Sequence, residues 1–232
     1  MSPAIRPGAI SHPNGLTVDE TRRSLLSRGP LADWILGDRD EIVLASASPR
    51  RRELLERLGV PARVEPVSVD ERFPDGVDPA EGARRVALRK VHAARDAGAS
   101  GLVLAADTVV LLGPAVLGKP RDAEEARAML GELSGRMHVV ATGVALADER
   151  GRVASGVETT DVWFRSLSAG EIEDYVRTGE PLDKAGAYGI QGLGILLVRE
   201  IRGDYANVVG LPVGLLLELA RRFPHGRSDR RR

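Results

Sequence analysis

Apolar and polar positions along this chain change period repeatedly, and the changes mark out the elements. Ile42 to Ala45 is a short apolar run that reads as a strand, and Ser48-Pro49 after it caps and opens a helix that closes at Gly59. Asp78-Pro79-x-Glu81 opens a second helix, with Ala83, Val86, Ala87, Val91 and Ala94 on one face. Leu102 to Ala106 and Val109 to Leu112 read as buried strands bounded by Gly113-Pro114. Asp122 starts a third helix that runs through Leu133 and ends at Gly135. Val139 to Leu146 and Val157 to Phe164 are long strand patterns with Gly151 at the turn between them. Ser168-x-x-Glu171 is a capping box for a helix ending at Gly179. A glycine-rich loop follows from Lys184 to Gly194, then a strand over Ile195 to Ile201 and a last helix opening at Leu211-Pro212. The alternation predicts an α/β domain: a mixed, twisted sheet flanked by helices.

Composition and charge set the limits of the domain. The 232 residues hold 33 Lys+Arg against 33 Asp+Glu, and 43% are apolar, enough for a sizeable core. The zero sum hides an asymmetry, because Arg221 to Arg232 contain six Arg and one Asp while residues 1–40 are balanced, so the stretch between is acidic. Residues 1–40, with prolines at 3, 7, 13 and 30, read as a poorly ordered extension, holding at most a short helix over Asp19 to Leu26 capped by Thr17. Residues 41–222 read as the working domain and 223–232 as a solvated basic tail. With 3% aromatic residues there is no stacking platform for nucleic acid, and no apolar stretch reaches the roughly 18 residues of a membrane span. No secretory signal is visible, so a cytoplasmic protein is expected. The absence of cysteine excludes thiolate nucleophiles and Cys-type metal sites, and leaves oxygen or imidazole as ligands for any metal.

Three segments carry candidate chemistry. Arg50-Arg51-Arg52 places three cations at the positive end of a helix dipole, against the usual preference. An anionic ligand would resolve the conflict, since free helix N–H groups, the Ser46 and Ser48 hydroxyls and guanidinium forks make a phosphate cradle. A solvated basic turn is the plainer alternative. Asp107, followed by Thr108, sits between two apolar runs at an expected strand end, where a carboxylate must be paired, metal-bound or catalytic, or else belong to a turn or buried ion pair. Lys119, in Gly118-Lys119-Pro120, can reach the same place; Lys90 lies among apolar residues of the second helix and can equally be snorkelling. Asp70-Glu71 could hold a hard divalent cation or be ordinary loop charge. Gln191, in the glycine-rich loop, offers both a donor and an acceptor to a nucleobase edge.

Together these motifs resemble the Maf proteins, a family of nucleoside triphosphate pyrophosphatases. The resemblance is carried by Leu44 to Leu55, Ala105-Ala106-Asp107-Thr108, Gly118-Lys119-Pro120, Leu133 to Arg136, Thr142-Gly143-Val144, Phe164-Arg165, Gly179 through Gly192 and Tyr205 to Pro212, in family order over about residues 41–222. It implies a two-lobed, ITPase-like domain with a central cleft, usually a homodimer, that hydrolyses a nucleoside triphosphate between the α and β phosphates with Mg²⁺ or Mn²⁺. By the same resemblance Asp107 is the general base, kept ionised by nearby cations, and shares the metal with Glu71, while Ser46, Ser48, Arg51, Lys90 and Lys119 bind phosphate. Arg50, Thr108 and Gln191 resemble the specificity residues of the branch acting on dTTP and UTP rather than 7-methyl-GTP. The alternative of a different class is a nucleotide-binding regulator of cell division, which would not need Asp107, Glu71, Lys90 and Lys119 together.

Overall fold

The computed structural model describes residue 29, residues 31–72 and residues 76–223. The helix expected over Asp19 to Leu26 and most of the basic tail lie outside them. Seven strands form one mixed sheet: β1 (Ile42–Leu44), β2 (Ala62–Val64), β3 (Leu102–Leu112), β4 (Ala115–Leu117), β5 (Met137–Ala147), β6 (Val153–Phe164) and β7 (Val198–Arg202). Their order is β2-β1-β3-β5-β6-β7, with β4 pairing the far end of β3. β1 is parallel to both β2 and β3, and the remaining pairs are antiparallel.

The helices are α1 (Asp33–Leu36), α2 (Pro49–Arg57), α3 (Pro79–Asp96), α4 (Ala123–Leu133), α5 (Ala169–Arg177), α6 (Tyr205–Val209) and α7 (Val213–Ala220). Their starts follow local chemistry. Asp78, Asp122 and Ser168 each accept the backbone N–H three residues on, and Ser168 forms a full capping box with Glu171. All five apolar positions expected on one face of α3 are buried, and Lys90 is buried with them.

Three apolar clusters show how the layers divide. Val43, Ala45, Val103 and Ala105 face Ala87, Val91 and Ala94 of α3. On the opposite face Ile42, Leu44, Leu102 and Leu104 pack against Leu55, Leu216 and Leu219, together with Ala32, Ile35 and Leu36. The last three belong to the segment expected to be an extension, so the packed structure begins before residue 41. The third cluster gathers Val110, Leu112, Leu130, Val140, Phe164, Tyr175 and Tyr188 around the other half of the sheet. β3 runs between the clusters, and Asp107 and Thr108 sit at the crossing.

Several expectations are corrected. β3 is one unbroken strand, so Asp107 and Thr108 lie in mid-strand, because β5 pairs it continuously from Val103 to Leu111. The strand end that exists there belongs to β1, which stops at Leu44 and leaves the edge of β3 open until β4 pairs from Val110. The expected strand over Ile195 to Ile201 is a 3-10 turn over Leu193–Leu197 followed by β7. The last helix, α7, opens after Pro212 as expected, but a short helix not expected from the sequence, α6, precedes it and ends at Gly210 with φ +114°.

Gly143, opposite Asp107 on β5, lets α3 approach the sheet, and a Cβ there would overlap the backbone of Ala83 and Arg84. Gly143→Ala should therefore cost about 2 kcal/mol or more in denaturant unfolding, as overpacking against backbone does. Gly131→Ala on α4, where a Cβ meets nothing within 4 Å, should instead add about 0.5–1 kcal/mol. Equal effects of the two substitutions would show that α3 is not held at contact distance.

Candidate active site

Ten of the twelve side chains singled out from the sequence line one cavity of about 260 Å³, at the open edge of β3, while Arg52 pairs with Glu56 and Asp70 with Arg72 outside it. The end of β1 and the first turn of α2 bring Ser46, Ser48, Arg50 and Arg51; α3 brings Lys90; β3 brings Asp107 and Thr108. Glu71, Lys119 and Gln191 arrive on loops.

Arg51 is as deeply buried as Lys90, at 8% exposure. Nε donates to Gly210 O at 2.7 Å, Nη1 to Ser46 Oγ and Ala106 O at 2.9 Å each, and Nη2 to Thr108 Oγ1 at 3.0 Å. Four of its five N–H groups are thus committed to protein acceptors, which leaves one for the phosphate expected of this guanidinium. It fills a backbone need: Ala106 O lies on the edge of β3 that β1 leaves unpaired. Burial lowers its pKa to about 10, with the Asp107 charge opposing, so the cation persists at neutral pH.

Ser46 Oγ also receives the Ser48 N–H, and the Ser48 side chain, at the N-cap of α2, caps nothing. Both hydroxyls retain a hydrogen to give. Arg50 is half-buried and reaches Asp183 at 3.5 Å, while Lys119 is exposed at the cavity mouth.

On the other face of β3, Lys90 Nζ lies 2.7 Å from Asp107 Oδ1 and 2.7 Å from Glu71 Oε1. One buried ammonium thus bridges two carboxylates. Burial raises the Asp107 pKa against the attraction of Lys90 and Arg51, so the net effect is upward. Burial also works against the Glu71 charge, but its hydrogen bond to Lys90 and the charges of Lys90, Lys119 and Arg51 bring it below the usual value. Among the described residues no group of three or more Asp, Glu or His is placed to hold a metal by itself.

Sequence reasoning missed the frame of the glycine-rich loop. Glu180 accepts the Leu193 and Gly194 N–H groups and the Tyr175 hydroxyl, and that hydroxyl oxygen accepts from Gly189 N. The loop that carries Gln191 is therefore pinned from below, and Gln191 Oε1 is buried with no hydrogen-bond partner among the described residues. Tyr188, in the cavity wall, is 2.9 Å from Nε2 of buried His138, and both stack edge-to-face on Phe164. A lone His in an apolar strand gave no signal of this contact, whose partner is 50 residues away.

Two expected outcomes follow from these buried groups. Arg51→Lys keeps the charge but cannot reproduce a planar fork with four acceptors, so unfolding stability should fall by about 2 kcal/mol or more; an unchanged denaturation midpoint would refute the bracing role. Burial lowers the His138 pKa to about 4. The unfolded chain, with His near 6.5, then binds more protons between pH 6.5 and 4, so stability present above 6.5 is lost on acidification through that window. His138→Gln should remove about one proton's worth of this slope, measured as unfolding free energy against pH.

The family described as Maf-like protein matches residues 41–223. A dTTP/UTP pyrophosphatase of Halalkalibacterium halodurans is 47% identical over 82% of this chain and 98% of its own length. One from Anaeromyxobacter dehalogenans is 52% identical over 79% and 95% respectively. A solved structure of the Staphylococcus aureus Ham1 protein, 14% identical, covers 80% of this chain and 100% of its own with a TM-score of 0.47, a partial likeness. The family match covers more than half of the chain and the relatives align over nearly their full length: the chain belongs to the Maf family.

Proposed function

We infer that this chain is a nucleoside triphosphate pyrophosphatase acting on dTTP and UTP, releasing the nucleoside monophosphate and pyrophosphate. The observation that carries the reading is the buried Lys90 bridge between Asp107 and Glu71, set in a cavity whose other cations are Arg50, Arg51, Lys119 and Lys184. A binding module has no use for a buried carboxylate with a raised pKa facing an anion site. The names of the relatives supply the substrate class, and the buried Gln191 Oε1, unpartnered among the described residues, is suited to a base edge.

The chemistry follows from the side chains. Lys90 holds Asp107 Oδ1, which leaves Oδ2 to receive a proton from water. That water attacks the α-phosphorus as the bond to the bridging oxygen breaks; the electron pair of that bond leaves with pyrophosphate, and the proton goes to Asp107. Lys119, Arg50 and the Ser46 and Ser48 hydroxyls neutralise or hydrogen-bond the phosphate oxygens, and the one uncommitted N–H of Arg51 can join them.

Two carboxylates converging on one cation suit a divalent ion held mostly by phosphates and water, and poorly suit one needing a full protein cage. Glu71 and Asp107 would hold Mg²⁺ or Mn²⁺, which would supply charge neutralisation on the phosphates. The same reading includes a cytoplasmic homodimer. Leu182, before the glycine-rich loop, and Leu193, Ile195 and Leu196, at its end, are exposed and support self-association. No helix among the described residues is long and apolar enough to cross a membrane.

Pyrophosphate release should be seen with dTTP and UTP in a panel including CTP and 7-methyl-GTP, and Asp107→Asn should lower turnover by about 10²–10⁴-fold. Its acid limb in native enzyme should fall through a pKa above the ordinary aspartate value of 3.8, in the direction burial gives Asp107. Near-native turnover in Asp107→Asn, or hydrolysis of 7-methyl-GTP alone, would refute the reading.

A further inference from the structure

Thr108 and Thr142 are register partners on β3 and β5, so their side chains share the face of the sheet opposite Asp107. Three contacts run through them. Arg51 Nη2 donates to Thr108 Oγ1 at 3.0 Å, the two threonine oxygens are 2.9 Å apart, and Thr142 Oγ1 donates to the backbone O of Asn207 at 3.1 Å. Each contact needs one hydrogen. Arg51 can only give, and Asn207 O can only receive. Thr142 has one hydrogen, and if it goes to Asn207 then the Thr108 hydrogen must go to Thr142. That is the one assignment in which all three contacts are hydrogen bonds.

The consequence is chemical. Thr108 is half-buried and lines the cavity, yet its hydroxyl hydrogen points away from the cavity, into the sheet. Toward a ligand it can offer a lone pair and nothing else. An acceptor of this kind repels phosphate oxygens, so this wall of the cavity suits a base. Its neighbours agree: Val110, Val140 and Tyr188 are apolar walls on the same side.

We propose that Thr142, itself fully buried and out of reach of substrate, is a positioning residue that makes Thr108 an obligate acceptor and so selects pyrimidines protonated at N3. Uracil and thymine carry an N–H there; cytosine carries a lone pair, which would face the lone pair of Thr108. The inference rests on the dTTP/UTP reading above and adds the device that separates UTP from CTP. A valine at position 142 has the shape of threonine and strands no acceptor, because Asn207 O keeps the Gly210 N–H at 2.9 Å. What it changes is the Thr108 hydroxyl, which loses its acceptor and can turn its hydrogen to the cavity.

The test is kcat/KM for UTP and CTP with native enzyme, Thr142→Val and Thr142→Ser. Native enzyme and Thr142→Ser should share one UTP:CTP preference, and Thr142→Val should reduce that ratio about tenfold, chiefly by raising CTP turnover. A purely structural role would lower both substrates together and leave the ratio unchanged, which would overturn the proposal while the pyrophosphatase reading stands. A native enzyme that treats UTP and CTP alike would do the same. Absence of UTP hydrolysis in native enzyme would remove the functional reading and the proposal with it. Should Thr142→Val not fold, native enzyme and 3-methyl-UTP pose the same question: rejection relative to UTP is expected, and equal turnover would overturn the proposal.

Discussion

The site is organised around one buried guanidinium held by carbonyl and hydroxyl oxygens. Where β1 ends, β3 is left with an open edge in the middle of the molecule, and an unpaired buried carbonyl there would cost on the order of 1–3 kcal/mol. Arg51 closes the gap by donating to Ala106 O, and with its other donors it ties Ser46 after β1, Thr108 on β3 and Gly210 between α6 and α7. The opening in the sheet is thereby kept as a cavity and not filled by a strand. The positive charge that breaks the helix-dipole rule at the start of α2 is compensated by carbonyl and hydroxyl oxygens brought from distant parts of the chain.

Because β3 crosses this gap in extended form, its successive side chains point to opposite faces, and the work is divided between neighbours in sequence. Asp107 points toward α3, which Gly143 allows to approach closely, and meets Lys90 and through it Glu71. Thr108 points toward Arg51 and Thr142, on the side where Tyr188 and the loop carrying Gln191 form the wall. Proton transfer and base recognition are thus one residue apart, on two sides of the same strand.

Much of this was legible in the sequence where the signal is local. The caps at Asp78, Asp122 and Ser168, the apolar face of α3 and the two long strands around Gly151 follow from spacing alone, and ten of the twelve candidate side chains share one cavity. What was not legible depends on distant partners. The polar pair Asp107-Thr108 interrupts an apolar run and looks like a break, although pairing with β5 keeps the strand continuous. The bracing contacts of Arg51 depend on acceptors far off in sequence, one of them 159 residues away. β2 and β4, three residues each, are too short to show a period, and the contact of His138 with Tyr188 joins two apolar segments with no common motif.

The central claim is that the Asp107 side of β3 directs water to the α-phosphorus of a nucleotide whose base lies on the Thr108 side. Hydrolysis of UTP in ¹⁸O-labelled water, with both products analysed by mass spectrometry, tests it most directly. The account predicts a single ¹⁸O in UMP and none in pyrophosphate; label in pyrophosphate, or UDP and labelled phosphate as products, would contradict it.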